Sequence, residues 1–76
     1  MTNSPTRVLG DAERNRVWRS TLTGALLRWN EGWERYSAIG GVSDWRPVRP
    51  GVISTDPIHA RPREEFVQVA PEDVPA

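Results

Sequence analysis

The stretch WRSTLTGALLRWNEGWERY, which covers residues 18–36, holds three of the chain's four tryptophans and its single tyrosine. Its bulky apolar residues recur every three or four positions, close to the helical period of about 3.6 residues that keeps side chains on one face. This helical stripe consists of Trp18, Leu22, Ala25, Leu26, Trp29, Trp33 and Tyr36. The stretch therefore predicts an amphipathic helix with a strongly aromatic face.

Signals for the ends of this helix lie on both sides of the stripe. Asp11 is a favourable N-cap residue, and an acid follows it in the first turn. The Gly40-Gly41 pair can adopt the left-handed conformation that ends a helix. Gly24 and Gly32 each weaken a helix interior by about 1 kcal/mol, and a break is conceivable at Gly32. Because the stripe stays in phase on both sides of it, we expect one continuous helix.

The composition changes after residue 41, where six of the seven prolines lie. Proline fixes its own backbone and lacks an amide hydrogen, so this region predicts an extended, polyproline-like arm. Phe66–Val69 has the aromatic and β-branched residues of a short strand, and Val52–Thr55 is a weaker candidate. A lone strand is unstable in water, so either segment needs an edge to pair with, in this chain or in a partner.

We therefore expect a mainly α fold with an extended arm and little independent core. Its segments are an N-terminal arm (1–10), the amphipathic helix (about 11–39), a Pro/Arg-rich extended arm (40–63), and a C-terminal segment (64–76) with a possible short β-strand (about 64–70) and an acidic tail. A chain of 76 residues without a disulfide is marginally stable unless a partner covers it.

Catalytic and metal-binding patterns are weak in this sequence. The absence of cysteine excludes a disulfide, a thiolate metal site and a cysteine nucleophile. His59 lies three residues after Asp56, and Ser43 or Ser54 could be imagined as a nucleophile, but loosely spaced residues of these types have little specificity. Glycine-rich phosphate-binding motifs do not occur. We expect no enzymatic activity, no cofactor and no metal site.

The charge pattern disfavours two classes of partner. All ten basic residues are arginine, and ten acidic residues balance them to a net charge of zero. On the predicted helix the arginines are scattered around the polar side with glutamates mixed among them, whereas a surface that binds nucleic acid carries one sign of charge. Apolar runs are too short for a signal peptide or a membrane span, and a membrane-surface helix is disfavoured but left open. The compartment is not determined, although a virion or the cytoplasm is favoured.

Self-association through a coiled coil is also disfavoured. The apolar pattern of the stripe repeats over eleven residues, from Trp18 to Trp29 and from Leu22 to Trp33, rather than over the seven that a left-handed coiled coil requires. Since no second amphipathic element is available to cover the stripe, we expect it to fill a groove on a larger protein assembly.

The expected partner-binding residues are those of the helical stripe together with Trp45, Phe66, Val67 and Val69. The most concrete hypothesis is a non-enzymatic accessory protein, such as a cement or minor capsid or tail protein of a phage with a GC-rich host. It rests on the small size, the missing lysine and the extended arm. The alternatives are a small regulator that binds a cellular enzyme or complex through the same helix, and a peripheral membrane-surface helix.

Overall fold

A computed structural model describes residues 5–37, 44–49, 51 and 55–74, and it places the tryptophan-rich stretch in β-strands. The strands are β1 (Val8–Leu9), β2 (Val17–Ser20), β3 (Leu26–Trp29), β4 (Trp33–Ser37), β5 (Asp44–Pro47), β6 (Ile58–His59) and β7 (Phe66–Val69). Single 3₁₀ turns lie at Asp11–Glu13 and Pro71–Asp73. The prediction of a mainly α fold with a helix over residues 11–39 is therefore wrong: within the described ranges no helix exceeds three residues.

The strands form two antiparallel sheets. Strands β2 to β5 follow one another as a meander, and β7 joins beside β2, so the order of the five-stranded sheet is β5-β4-β3-β2-β7. In its register Trp18 is opposite Leu27, and Leu27 is opposite Arg35. Strands β1 and β6 pair with each other in a separate two-stranded sheet. One edge of the large sheet is thus formed by β7, a strand that lies far along the chain from its neighbour β2.

Two tight connections explain why the stretch is a meander. The backbone of Gly24 is left-handed with φ of 75°, and that of Glu31 is left-handed with φ of 61°. Around Gly24, the Ser20 amide donates to the Ala25 carbonyl at 2.9 Å, and the Gly24 amide donates to the Ser20 carbonyl at 2.9 Å. At the second connection the amide of Asn30 donates to the carbonyl of Gly32 at 2.8 Å. The glycines that weaken a helix thus lie in the loops that a hairpin requires.

The helical spacing was misleading because short strands and loops mimic it. Side chains in a strand alternate with a period of two, and the loops 21–25 and 30–32 shift this alternation between strands. As a result Trp18 and Trp33 lie on the buried face of the sheet, Tyr36 lies on the opposite face, and Leu22 lies in a loop. The helical stripe is therefore not a single surface.

A hydrophobic core lies on one face of the five-stranded sheet, which we call the inner face. Its buried side chains are Leu9, Trp18, Leu27, Trp33 and Phe66, and Trp29, Val48, Ile58 and Ala60 pack against them. Trp33, one of the two tryptophans among them, is 1% exposed. The expectation of little independent core is corrected by this cluster, because both expected arms contribute to it.

The expected segments change accordingly. The arm expected over 40–63 contains β5 and β6, and a strand forms at Phe66–Val69 inside the expected range of 64–70. That strand pairs with β2 of the same chain rather than with a partner's edge. The expected cap at Gly40-Gly41 and residues 52–54 of the weaker strand candidate lie outside the described residues. None of the helical segments in the described part is long and apolar enough to cross a membrane.

Replacing Gly24 by alanine distinguishes the meander from a helix by the sign of its effect. An added Cβ at Gly24 would meet no atom within 4 Å, so the cost comes from the left-handed backbone alone. We expect the free energy of unfolding to fall by about 1 kcal/mol, measured by urea denaturation. In a helix the same change would raise it by about 1 kcal/mol.

The matched variant is Glu31→Gly, which relieves a left-handed non-glycine residue with φ of 61°. We expect it to raise the free energy of unfolding by up to about 1 kcal/mol. A stabilising Gly24→Ala together with a destabilising Glu31→Gly would contradict both hairpin connections.

Candidate functional site

The face of the five-stranded sheet opposite the core, which we call the outer face, is unusually apolar. Pairing and alternation place ten side chains on it: Val17, Arg19, Leu26, Arg28, Glu34, Tyr36, Trp45, Pro47, Val67 and Val69. Seven of these ten are aliphatic, aromatic or proline. The solvent face of an antiparallel sheet usually carries polar residues in alternation with buried apolar ones. The outer face therefore differs from an ordinary solvated surface.

An aromatic pair lies at one side of the outer face. Tyr36 and Trp45 are opposite each other on β4 and β5, with ring centroids 5.2 Å apart and ring planes at 53°. Both side chains are half-buried. The indole Nε1 of Trp45 is shielded and donates to no residue in the described part of the chain. A shielded donor without an acceptor costs free energy. The described neighbours of Trp45 do not supply an acceptor for its indole N–H.

Arg28 connects three strands across this face. Its guanidinium carbon lies 4.3 Å from the centroid of the Trp45 ring, and its Nε donates to Glu34 Oε1 at 2.8 Å. Arg28 is on β3, Glu34 on β4 and Trp45 on β5. Cation–π and ion-pair contacts at partly exposed positions contribute up to about 1 kcal/mol each. Their main effect here is to hold the aromatic pair and the arginine in a fixed arrangement.

A cleft of about 500 Å³ opens at one margin of the outer face, and we call it the margin cleft. It is lined by Asn15, Arg16, Val17, Arg28, Trp29, Gln68, Val69, Pro71 and Val74. Val17, Arg28 and Val69 belong to both the cleft and the outer face, so the two are continuous. The lining combines apolar residues with Arg16 and Arg28, and no acidic residue lines it within the described ranges.

The orientation of Trp29 in the margin cleft is fixed from two sides. Its ring meets Trp33 edge-on, with centroids 5.6 Å apart and planes at 77°. The guanidinium carbon of Arg14 lies 3.8 Å from the Trp29 centroid, and Arg14 is itself held by Asp11 at 2.9 Å. An aromatic ring constrained in this way offers a preformed apolar surface, which lowers the entropic cost of binding.

A second cavity, of about 310 Å³, contains the side chains that would be needed for catalysis. The residues that line it include Ser20, Arg35, His59, Arg61 and Glu64. Nucleophilic catalysis needs an accessible hydroxyl with a lone pair free for the attack and a base that can take its proton. The neighbourhood of Ser20 shows whether this cavity meets that requirement.

The hydroxyl of Ser20 is fully used by structural hydrogen bonds. It donates to Glu64 Oε2 at 2.5 Å and accepts from the amides of Leu22 at 3.1 Å and Thr23 at 3.2 Å. A hydroxyl has one hydrogen to donate and two lone pairs to accept with. Ser20 therefore anchors the loop after β2 and is not arranged as a nucleophile.

Glu64 completes this anchor from the other end of the chain. Its Oε1 accepts from the Arg61 amide at 3.0 Å, and the residue is 8% exposed. Burial raises the pKa of this carboxyl, but the hydrogen bonds from the Arg61 amide and the Ser20 hydroxyl and the charge of Arg61 lower it, and the net pKa lies below its ordinary value of 4.5. An ionised Glu64 therefore stabilises the fold.

The other candidates for catalysis form no site in the part of the chain that the structure describes. Among the described residues, Asp56 and His59 share no hydrogen bond, and no group of acidic or histidine side chains is close enough to hold a metal ion. Ser43 and Ser54 lie outside the described residues. The expectation of a non-enzymatic protein stays a prediction.

The predicted partner-binding residues are divided between several places. The outer face carries Leu26, Tyr36, Trp45, Val67 and Val69. The core contains Trp18, Trp33 and Phe66, and the margin cleft is lined by Trp29. The loop before β3 contains Leu22 and Ala25. Sequence reasoning missed the contributions of Val17, Arg16 and Arg28. Alternation within Trp33–Ser37 and Asp44–Pro47 was the signal that could have identified the outer face.

No family model, curated protein or solved structure matches this chain. The expected docking helix is contradicted, because the described residues form a mostly β fold. The hypothesis of a viral capsid accessory protein is unsupported, since the extended arm on which it also rests contains β5 and β6. The phage hypothesis is therefore not carried further. Function has to be argued from the outer face and the margin cleft.

The anchor between Glu64 and Ser20 predicts how stability depends on pH. Because folding lowers the pKa of Glu64 below 4.5, its contribution is present above that value and is lost as the pH falls through the lowered pKa. We expect Glu64→Gln to cost about 1 to 2 kcal/mol at neutral pH. The same variant should lose less stability on acidification than the wild type does, as measured by chemical denaturation at several pH values.

The matched control is Glu65→Gln, which removes the neighbouring exposed carboxylate. It should keep the wild-type loss of stability on acidification. If Glu64→Gln and Glu65→Gln gave the same pH profile, the role assigned to the Glu64 anchor would be wrong.

Proposed function

We propose that the chain is a non-enzymatic binding module that takes an extended segment of a partner protein across its outer face. The observation that carries this proposal is that large apolar side chains lie on both faces of the five-stranded sheet. The described core elements, including Leu9 of β1 and Ile58 of β6, pack on the inner face. An apolar sheet face that the described elements leave without a covering layer is typical of an interaction surface.

The size of the outer face favours a short segment over a folded partner. Five strands spaced about 4.8 Å apart, with four residues rising about 3.4 Å each, give a face of roughly 24 Å by 14 Å. A stable interface between folded proteins buries about 800 Å² on each partner. The outer face is smaller than that, so an extended peptide segment fits it better than a domain or a second copy of the chain.

The side chains of the outer face suit such a segment. Tyrosine, tryptophan and arginine contribute most strongly to binding at protein interfaces, and aromatic grooves accept extended or proline-rich peptides. Arg28 is already fixed by Glu34 and Trp45, so little side-chain entropy would be lost on binding. Arg19 is exposed and forms no ion pair in the described part of the chain. It would favour an acidic residue in the partner.

Selection from a random peptide library tests the proposal directly. Peptides should be selected on the immobilised chain, and their affinity then measured for variants of the outer face. We expect Trp45→Ala and Tyr36→Ala to weaken binding of the selected peptides at least tenfold, which corresponds to about 1.4 kcal/mol. The matched control is Arg46→Ala, because Arg46 is exposed next to Trp45 in β5 but projects from the opposite face.

The control should bind like the wild type, and thermal melts should show that all variants remain folded. Failure to enrich any common peptide pattern would overturn the proposal. Retained affinity in both Trp45→Ala and Tyr36→Ala would overturn it as well, because the selected peptides would then bind elsewhere.

A further inference from the structure

We propose that the margin cleft receives the C-terminal residue of the partner segment, with its carboxylate at Arg16 and its apolar side chain against Trp29. This inference rests on the proposed function and specifies which end of the segment is recognised. The cleft is continuous with the outer face through Val17, Arg28 and Val69. Its volume of about 500 Å³ lies in the range of small-ligand sites, about 300 to 1,000 Å³.

Charge complementarity indicates an anionic occupant. Arg16 and Arg28 are the basic residues that line the cleft, and no described acidic residue lines it. Arg28 is paired with Glu34 at 2.8 Å, so its charge is already balanced. Arg16 forms no ion pair in the described ranges, and its Nη1 donates a hydrogen bond to Gln68 Oε1 at 3.2 Å. Arg16 therefore supplies the charge that remains to be balanced.

Arg16 also has the geometry to bind a carboxylate. A guanidinium group carries five N–H donors in a planar fork, and one of them is directed to Gln68. The others suit the two oxygens of a carboxylate, which arginine binds in a bidentate manner. The amide oxygen of Gln68 restrains the arginine side chain and leaves these donors available.

The remaining lining identifies the carboxylate as that of a chain end. Val17, Val69 and Val74 present aliphatic surface, and Trp29 presents an aromatic ring held by Trp33 and Arg14. The occupant must therefore place a carboxylate and an apolar group close together. In a peptide, the last residue is the one that carries both on the same Cα, whereas aspartate and glutamate place the carboxylate on the side chain itself.

N-acetyl-leucine and N-acetyl-leucinamide are the probes that test this inference. They differ only in the presence of the carboxylate. Each should be titrated into the full, ¹⁵N-labelled chain, with the amide signals of Val17, Gln68 and Val69 and the indole signal of Trp29 followed by NMR. We expect N-acetyl-leucine to shift these four signals with a dissociation constant in the millimolar range, and N-acetyl-leucinamide to bind at least fivefold more weakly.

Arg16→Gln should abolish the difference between the two probes, because it removes the charge and keeps a polar side chain of moderate length. The matched control is Arg46→Gln, which removes an exposed arginine from β5 and should keep the difference. Raising the NaCl concentration should reduce the preference for the carboxylate, since added salt screens exposed charges.

Equal binding of the two probes, binding of neither, or a preference that survives Arg16→Gln would each overturn the inference. These outcomes differ from a failure of the proposed function, which is decided by Trp45 and Tyr36 on the outer face. If library peptides depend on those two residues while the probes show no carboxylate preference, the partner segment crosses the outer face without placing its end in the cleft.

Discussion

The pairing of β7 with β2 is the constraint on which the other features of this fold depend. Val17 to Ser20 align with Val69 to Phe66, and these two segments are separated by most of the meander and the region that follows it. The pairing brings Phe66 into the same core cluster as Trp18. It also places Glu64 where it can accept from the Ser20 hydroxyl. Without this pairing the large sheet would lose its strand β7, the core would lose Phe66, and the loop after β2 would lose its anchor at Glu64.

The same pairing determines which side chains are available for binding. Because alternate residues in a strand point to opposite faces, a shift of the register by one residue would exchange the two faces. The observed register places Phe66 inward and Val67 and Val69 outward. The outer face and the margin cleft are therefore consequences of the register that builds the core. Substitutions in β7 should be interpreted with both faces in mind.

Some of this architecture was accessible from the sequence, and some was not. The strand at Phe66–Val69 was predicted because its β-branched and aromatic residues are contiguous, and this preference is local. The meander was missed because its strands are four or five residues long. With a period of two residues, each strand shows the alternation of apolar and polar side chains only about twice. The loops between them restored a spacing that resembles a helix. Which of two periodicities applies depends on partners distant in sequence, such as β7, and a local pattern does not contain that information.

The edges of the large sheet have a consequence for how the chain behaves at high concentration. Beside β7, Thr6 exchanges two backbone hydrogen bonds with Phe66, at 2.9 and 2.8 Å, and the opposite edge strand β5 ends in Pro47. An isolated bridge and a residue without an amide hydrogen both interrupt the continuous ladder that strands need for pairing between molecules. The fold can thus display aromatic surface on a sheet face while limiting strand-to-strand polymerisation, the route by which β-rich chains most often form fibrils.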